Sequence, residues 1–351
     1  MSYIQKPIAH HPALPKNTLG LTRRDYEASM STLCAGCGHD SITAAIIEAC
    51  YRLNLPAHRI AKVSGIGCSS KSPTYFLGRS HGFNSVHGRM PSIATGANLA
   101  NRDLIYIGVS GDGDTASIGL GQFCHAVRRQ LNMTYIVMNN GCYGLTKGQF
   151  SATNDKNSPS KKGEPNPFDA IDLCQIAIQL GAGFVARSFS GDKPQLVPLI
   201  EAALSYNGFA FLDVLSPCVT FNNHTTSTKS YEYIRDHYQM MGRLDFVPEM
   251  EEIEVDYDPG TTTDVTLHDG STLQLHKLKD SHDVRDPDAA LNAIRSHAKE
   301  GTVATGLLYV NEAERDLHKV LGTPDRALNA IAAAELCPGS GALDAINAKL
   351  R

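Results

Sequence analysis

What this chain lacks narrows its class before any motif is read. No apolar run approaches the ~20 residues of a membrane-spanning helix, so no segment is expected to cross a bilayer. The opening stretch, MSYIQKPIAHHPALPKN, has no apolar core of the kind a secretory signal needs, and a cytoplasmic protein is expected. An excess of either charge is missing too. The formal net charge is -4, and charged residues make up 19% of the sequence. That balance gives no electrostatic reason to expect nucleic acid or an anionic membrane as a partner. Tryptophan is absent, which says nothing about function, and no internal repeat is visible.

What is present is ordinary for a globular protein: 351 residues, 42% of them hydrophobic. This is enough for one large α/β core with an appendage, or for two modest domains. The 9 cysteines are not expected to pair as disulfides in a reducing compartment. Those at motif spacing therefore call for a metal or cofactor reading first.

Along the chain, residues 1–30 are rich in Pro, His and polar residues and read as an extended arm. From Leu33 the Cys/Gly loop LCAGCGHD runs into SITAAIIEACYRL, whose apolar spacing suits an amphipathic helix capped by Asp40 or Ser41. RIAKVSGIGCSS reads as a strand entering a glycine loop, and MPSIATGANLANR as a helix begun after Pro91. DLIYIGVSGDGD is the clearest buried strand, followed by the helix SIGLGQFCHAVRRQL and the strand MTYIVMNN. Asp103–Asn140 is thus one βαβ unit.

Beyond a polar segment at 149–167, DAIDLCQIAIQLGA and QLVPLIEAALSYN read as helices. FVARSF and GFAFLDVLSPC read as strands. The alternation predicts an α/β fold, a mostly parallel sheet with helices on both faces, over residues 31–244. Residues 245–351 break the pattern and predict a small α+β extension. In it, EEIEVDYDPGTTTDVTLHDGSTLQLHKL is a hairpin about HDGS, and PDAALNAIRSHAKE and DRALNAIAAAELC are helices.

Two loops carry chemistry at the strand ends. The strand from Asp103 ends in Gly111-Asp112-Gly113-Asp114, and the next in Asn139-Asn140-Gly141-Cys142-Tyr143-Gly144. Glycines admit a phosphate close to the backbone, and N–H groups opening a helix bind anions. A carboxylate beside an amide oxygen suits Mg²⁺. A GDG sequence alone is a common turn former. Here, however, the second loop arrives one helix and one strand later, as two neighbouring strand ends require.

That spacing resembles the diphosphate-binding motif of thiamine-dependent enzymes. The resemblance implies that Asp112 and the Asn140 side chain bind Mg²⁺, with the backbone carbonyl of Cys142 as a third ligand. It places Gly111, Gly113, Asp114, Tyr143, Gly144, Leu145 and Thr146 around thiamine diphosphate, together with Gly67 and Ser69.

A second constellation is Cys34-Ala35-Gly36-Cys37, with Cys68 in GIGCSS and Cys218 in SPC. Two cysteines flanking a two-residue loop can hold one metal or one cluster edge; a CxxC alone also fits zinc, redox chemistry or nothing. Cys68 and Cys218 each follow a predicted strand in a Gly- or Pro-bearing loop. Cys50, Cys124 and Cys174 fall in helices among Ala, Ile and Leu and read as small buried hydrophobes. Cys337 lies in a distal tail.

Together, CAGCGH, GIGCSSK, HGR, GDGD, NNGCYGLTKGQ and SPCVTFN resemble, in order, the β subunits of 2-oxoacid:ferredoxin oxidoreductases. The resemblance covers about residues 30–240. It implies a thiamine-diphosphate-binding fold with one 4Fe–4S cluster on Cys34, Cys37, Cys68 and Cys218. It implies CoA-dependent oxidative decarboxylation of a 2-oxoacid, or the reverse carboxylation, with electrons passing to an external ferredoxin.

The carboxylate that activates the cofactor comes from the α chain in two-subunit members, and no residue here can be assigned that role. A doubled αβ unit, inactive as β alone, is the expectation. A thiamine decarboxylase or carboligase would leave the four loop cysteines unexplained, and a zinc-binding scaffold would leave GDGD and NNGCYG unexplained.

For substrate, Lys71 stands where pyruvate-specific relatives tend to carry an aliphatic residue. With Leu145 and the KGQ sequence it points to 2-oxoglutarate, pyruvate or a broad range being the alternative. A lone lysine is as often simply exposed. His87 and Arg89 in VHGRMP are further pocket candidates, although a structural histidine fits that position equally well. Ala152 departs from the commoner SPT ending of the family. Lys156–Lys162 reads as a solvated loop, with a lid or a docking strip for ferredoxin as the alternative.

Overall fold

Strands that read as unbroken apolar runs need cover on both faces, and the chain supplies it. The computed structural model describes residues 13–158, 164–221, 255–266, 272–278, 282–313, 316–337 and 339–350. Residues 1–12 of the arm, 159–162 of the Lys156–Lys162 strip, Asn222, the expected boundary at 244/245 and the HDGS turn lie outside the described residues.

The strands are β1 Ile60–Ser64, β2 His81–Asn84, β3 Ile105–Gly111, β4 Met133–Asn139, β5 Cys142–Tyr143 and β6 Gln149–Phe150, then β7 Phe184–Phe189, β8 Phe209–Leu215, β9 Thr262–Thr266, β10 Thr272–Lys277 and β11 Val303–Val310. One nine-stranded sheet has the order β2-β1-β3-β4-β8-β7-β11-β10-β9, and β5 and β6 pair separately. From β2 to β7 the neighbours are parallel. The fold is α/β with a mostly parallel sheet.

The helices packed on the sheet include α1 Gly38–Arg52, α2 Met90–Ala100, α3 Leu120–Arg128, α4 Leu173–Gln179, α5 Lys193–Ser205 and α6 Pro287–Lys299. Successive strand residues point to opposite faces, and both sets are buried. Tyr135, Val137, Phe209 and Phe211 pack with Met90, Phe123, Leu173 and Ile294 from α2, α3, α4 and α6. Ile136, Met138, Leu212 and Val214 pack with Ile42, Ile46, Leu196 and Ile200 from α1 and α5. The arm is anchored where Tyr26, 1% exposed, joins this second layer.

Three features depart from the sequence reading. Helix α1 begins at Gly38 with Cys37 as its N-cap, not at an Asp40 or Ser41 cap. Gly36 at φ +74° turns the chain early, and a bond from His39 Nδ1 to Ser216 Oγ (2.6 Å) holds the first turn. Val303–Val310 is a strand, β11, that the sequence did not reveal; it pairs antiparallel with β7 and parallel with β10. The residues expected as an extension therefore supply the last three strands of the same sheet, β9 and β10 forming the expected antiparallel pair. The run DRALNAIAAAELC is two short turns, Leu328–Ala330 and Ala333–Leu336, with no buried face to hold a longer helix. Among the described residues no helix is long and apolar enough to cross a membrane.

Candidate active site

The chain leaves β1 for β2 on one side and returns to β3 on the other. This reversal opens a crevice at the carboxyl ends of β1 and β3, the usual ligand position in an open α/β sheet. Gly65–Ser70 leaves β1 there, Gly111–Asp114 leaves β3, and the β4 end adds Asn139–Thr146. Gly67, Ser69, Gly111–Asp114, Asn140 and Cys142–Thr146 all line one open cleft, together with His39, Cys68 and His87.

Asp112 is 1% exposed. Its Oδ1 accepts the Asn140 N–H (3.2 Å) and its Oδ2 accepts the hydroxyls of Ser151 and Thr153, the latter at 2.7 Å. Asn140 Oδ1 accepts the Cys142 N–H at 3.1 Å, which folds the turn so that two oxygen donors face one cleft. Asp114, also in the lining, uses its carboxylate on the loops. Oδ1 accepts the N–H of Gly88 (2.8 Å) and Oδ2 the Ser110 hydroxyl (2.9 Å).

The cleft has the features of a diphosphate cradle. A Cβ on Gly113 would fall 2.6 Å from the Tyr143 ring, and one on Gly111 would fall 2.9 Å from Ser69 Oγ. The Ser69 and Ser70 hydroxyls are buried with no hydrogen-bond partner among the described residues. Buried hydroxyls without partners are costly and suit an anionic ligand's oxygens. Lys62, on β1, pins the segment behind them, its ammonium donating to the carbonyls of Pro73, Phe76 and Leu77 at 2.6, 2.5 and 3.0 Å.

The four loop cysteines gather beside this cleft. A Cβ on Gly144 would lie 3.3 Å from Cys68 Sγ and 3.8 Å from Cys218 Sγ. Thr220 Oγ1 lies 3.7 Å from Cys34 Sγ, and Cys37 caps α1. Burial, with Cys218 and Cys68 adding to it, pushes the Cys37 thiol up to about 12. Burial also raises Cys68, with Cys218 and Cys34 adding to it and Lys71 pulling the other way. Four crowded thiols ionise together only around a cationic centre. Among the described residues no three His, Cys, Asp or Glu side chains meet in single-ion geometry.

Residues 65–214 match the thiamine pyrophosphate enzyme C-terminal TPP-binding domain. The 2-oxoglutarate synthase subunit KorB of Methanocaldococcus jannaschii is 38% identical over 192 residues, 54% of this chain and 69% of that one. The chain belongs to the β-subunit family of 2-oxoacid:ferredoxin oxidoreductases. The β subunit of this name from Sulfolobus is 42% identical over 194 residues, covering 55% of this chain and 64% of its own. A solved structure of 2-oxoglutarate:ferredoxin oxidoreductase from Magnetococcus marinus, with 2-oxoglutarate, coenzyme A and succinyl-CoA bound, aligns at TM-score 0.68 and 29% identity. That alignment covers 87% of this chain and 92% of that one. The match spans less than two thirds of the curated relatives from Sulfolobus, Saccharolobus solfataricus and Aeropyrum pernix.

For this β-subunit-family chain, the substrate candidates are spread unevenly. His87 and Leu145, both exposed, line the cleft. Arg89 is the exposed N-cap of α2 and lies outside the lining. Lys71 Nζ donates to the Thr32 carbonyl at 3.1 Å and is not among the lining residues. The sequence reading missed the buried hydroxyls of Ser70, Ser151 and Thr153, which follow no spacing rule. It also gave no role to His39, although CAGCGH contains it. His39 is 1% exposed, and burial holds its imidazole neutral, down to about 4. Its bond to Ser216 ties the Cys37 turn to the Cys218 loop.

Proposed function

We propose that this chain is the β subunit of an oxidoreductase that decarboxylates 2-oxoglutarate to succinyl-CoA and CO₂, or runs the reverse carboxylation, with ferredoxin exchanging the electrons. The observation that carries the reading is the position of Gly144. It belongs to the cofactor loop, yet it stands against Cys68 and Cys218, so a cofactor and a cluster would be immediate neighbours. Bound thiamine diphosphate supplies the carbanion chemistry and a 4Fe–4S cluster one-electron transfer.

Asp112, Asn140 and the Cys142 carbonyl would hold Mg²⁺, and Ser69 would donate to the diphosphate. Cys34, Cys37, Cys68 and Cys218 would hold the cluster. Asp112 and Asp114, the carboxylates of the described cleft lining, are engaged by loop N–H groups and hydroxyls. The activating carboxylate is therefore assigned to an α subunit. Val86, Ile118 and Leu145, at 69%, 44% and 51% exposure, are apolar surface suited to such an interface. The 2-oxoglutarate choice leans on the names of the relatives.

Anaerobic co-expression with the α subunit, followed by assay against a panel of 2-oxoacids in both directions, tests the proposal. Turnover at full rate by the β chain alone would overturn it. Colourless protein containing zinc would favour a scaffold, and colourless protein with thiamine diphosphate a decarboxylase.

Lys71 gives a sharper expectation. One exposed bond to a carbonyl is worth about 0.5–1.5 kcal/mol, little enough for the ammonium to give up for a distal carboxylate. Lys71→Ile is expected to raise the KM for 2-oxoglutarate roughly tenfold or more, the loss of one charge-assisted bond, and to leave that for pyruvate nearly unchanged. Equal shifts for both substrates would remove Lys71 from substrate recognition.

A further inference from the structure

The segment after β6 folds back beneath Asp112. Ser151 N–H donates to the Gly141 carbonyl (3.3 Å), Ala152 N–H to Ser117 Oγ (3.0 Å), and Ile171 N–H to the Ala152 carbonyl (2.7 Å). Pinned in this way, Ser151 and Thr153 are 4% and 2% exposed. Both hydroxyls reach the same oxygen of Asp112, opposite the one held by the Asn140 N–H. Thr153 has one hydrogen to donate, and its 2.7 Å separation from Asp112 is shorter than its 3.1 Å from Asn139 Oδ1. Donors on both oxygens fix the plane of the carboxylate, and they offset the cost of burying its charge.

A second brace meets the turn from behind. Arg187 Nε donates to Asp213 Oδ2 (3.1 Å), whose Oδ1 accepts from Asn139 Nδ2 (3.0 Å). Asn139 Oδ1 in turn accepts the Gly141 N–H (3.3 Å). The ion pair between β7 and β8 thus reaches the loop that carries Asn140 and Cys142.

We propose that Ser151 and Thr153 are positioning residues for the metal-and-diphosphate site, acting through Asp112, with Arg187, Asp213 and Asn139 bracing the facing turn. The inference rests on the thiamine-diphosphate reading above. Outer partners of a ligating carboxylate typically contribute 10–100-fold in metal affinity. The readout is the Mg²⁺ concentration that half-saturates thiamine diphosphate retention by the α/β holoenzyme in equilibrium dialysis.

Thr153→Val, which keeps the shape but removes the donor, is expected to raise that concentration about 10–100-fold. Thr153→Ser is expected to restore it, and Ser151→Ala to raise it in the same direction. Cluster absorbance and melting temperature monitor folding separately. Wild-type Mg²⁺ dependence in folded Thr153→Val and Ser151→Ala proteins would overturn the proposal. If unmutated enzyme retained no thiamine diphosphate at any Mg²⁺ concentration, the reading of the site would fail, and this inference with it.

Discussion

Replacing Arg187 with methionine is expected to cost about 3–5 kcal/mol of folding free energy, because it leaves a buried carboxylate without its counter-charge. Arg187 and Asp213 are 7% and 2% exposed. The guanidinium bonds Asp213 at 3.1 Å and Asp172 at 2.8 Å. Burial works against the Arg187 charge, but Asp172 and Asp213 outweigh it and hold the group protonated well above its ordinary range. Methionine keeps the apolar stem, so the loss is one of charge pairing more than of volume. Asp172 also caps α4 through the Gln175 N–H, so that helix loosens with it.

The loss should depend on pH. Burial alone would raise the Asp172 carboxyl, yet Arg187 and the Gln175 N–H bring it below its ordinary 3.8. A depressed carboxyl contributes its stability above the unfolded value and loses it as pH falls through the folded one. The gap between wild type and variant is therefore full at neutral pH and narrows in acid below about pH 4. A fall in melting temperature of roughly 10 °C at pH 7 is expected in an anaerobic thermal scan. A fall below about 2 °C would show that the pair is replaceable.

The same network shows what the sequence could reveal and what it could not. β3 and β4 were legible because strands buried on both faces leave apolar runs ending in Gly, Asp or Asn, and β8 as such a run ending at the Cys218 loop. The two loops were legible because adjacent strand ends demand a fixed interval. β11 was not. Gly306 sits at φ +115° and the pairing register shifts between Leu307 and Tyr309, so the alternation that marks a strand is broken. β2 is four exposed residues held in place by pairing with β1, and exposure leaves no apolar pattern. Lys71 illustrates a different limit. Its adjacency to Cys68 placed it near the cleft, but the 3-10 turn Ser69–Thr74 carries its ammonium round to Thr32. Ser151 and Thr153, which flank Ala152 in the SPT-like segment, were given no role because a hydroxyl gains meaning only from the carboxylate it meets in three dimensions.

Exchange of Cys218 for serine is expected to remove most of the iron, from about four atoms per chain, and with it the broad absorbance near ~400 nm. Cys218 follows Ser216, whose N–H donates to the Asn139 carbonyl at 2.8 Å and whose hydroxyl meets His39 Nδ1 at 2.6 Å. These bonds fix the Cys218 loop against the helix start that presents Cys37, so no neighbouring segment can move in to replace the lost ligand. The nearest substitute is the Cys142 thiol, raised by its contact with Cys218 and by burial; the burial remains once Cys218 is replaced. Its N–H is held by Asn140 Oδ1 and its backbone is paired with Phe150, so the loop that carries it is fixed in place. Cys142→Ala is therefore expected to keep its iron where Cys218→Ser loses it, although the two sulfurs are neighbours. Iron retained in Cys218→Ser, or lost in Cys142→Ala, would reverse the assignment, because proximity of the thiols alone does not distinguish them.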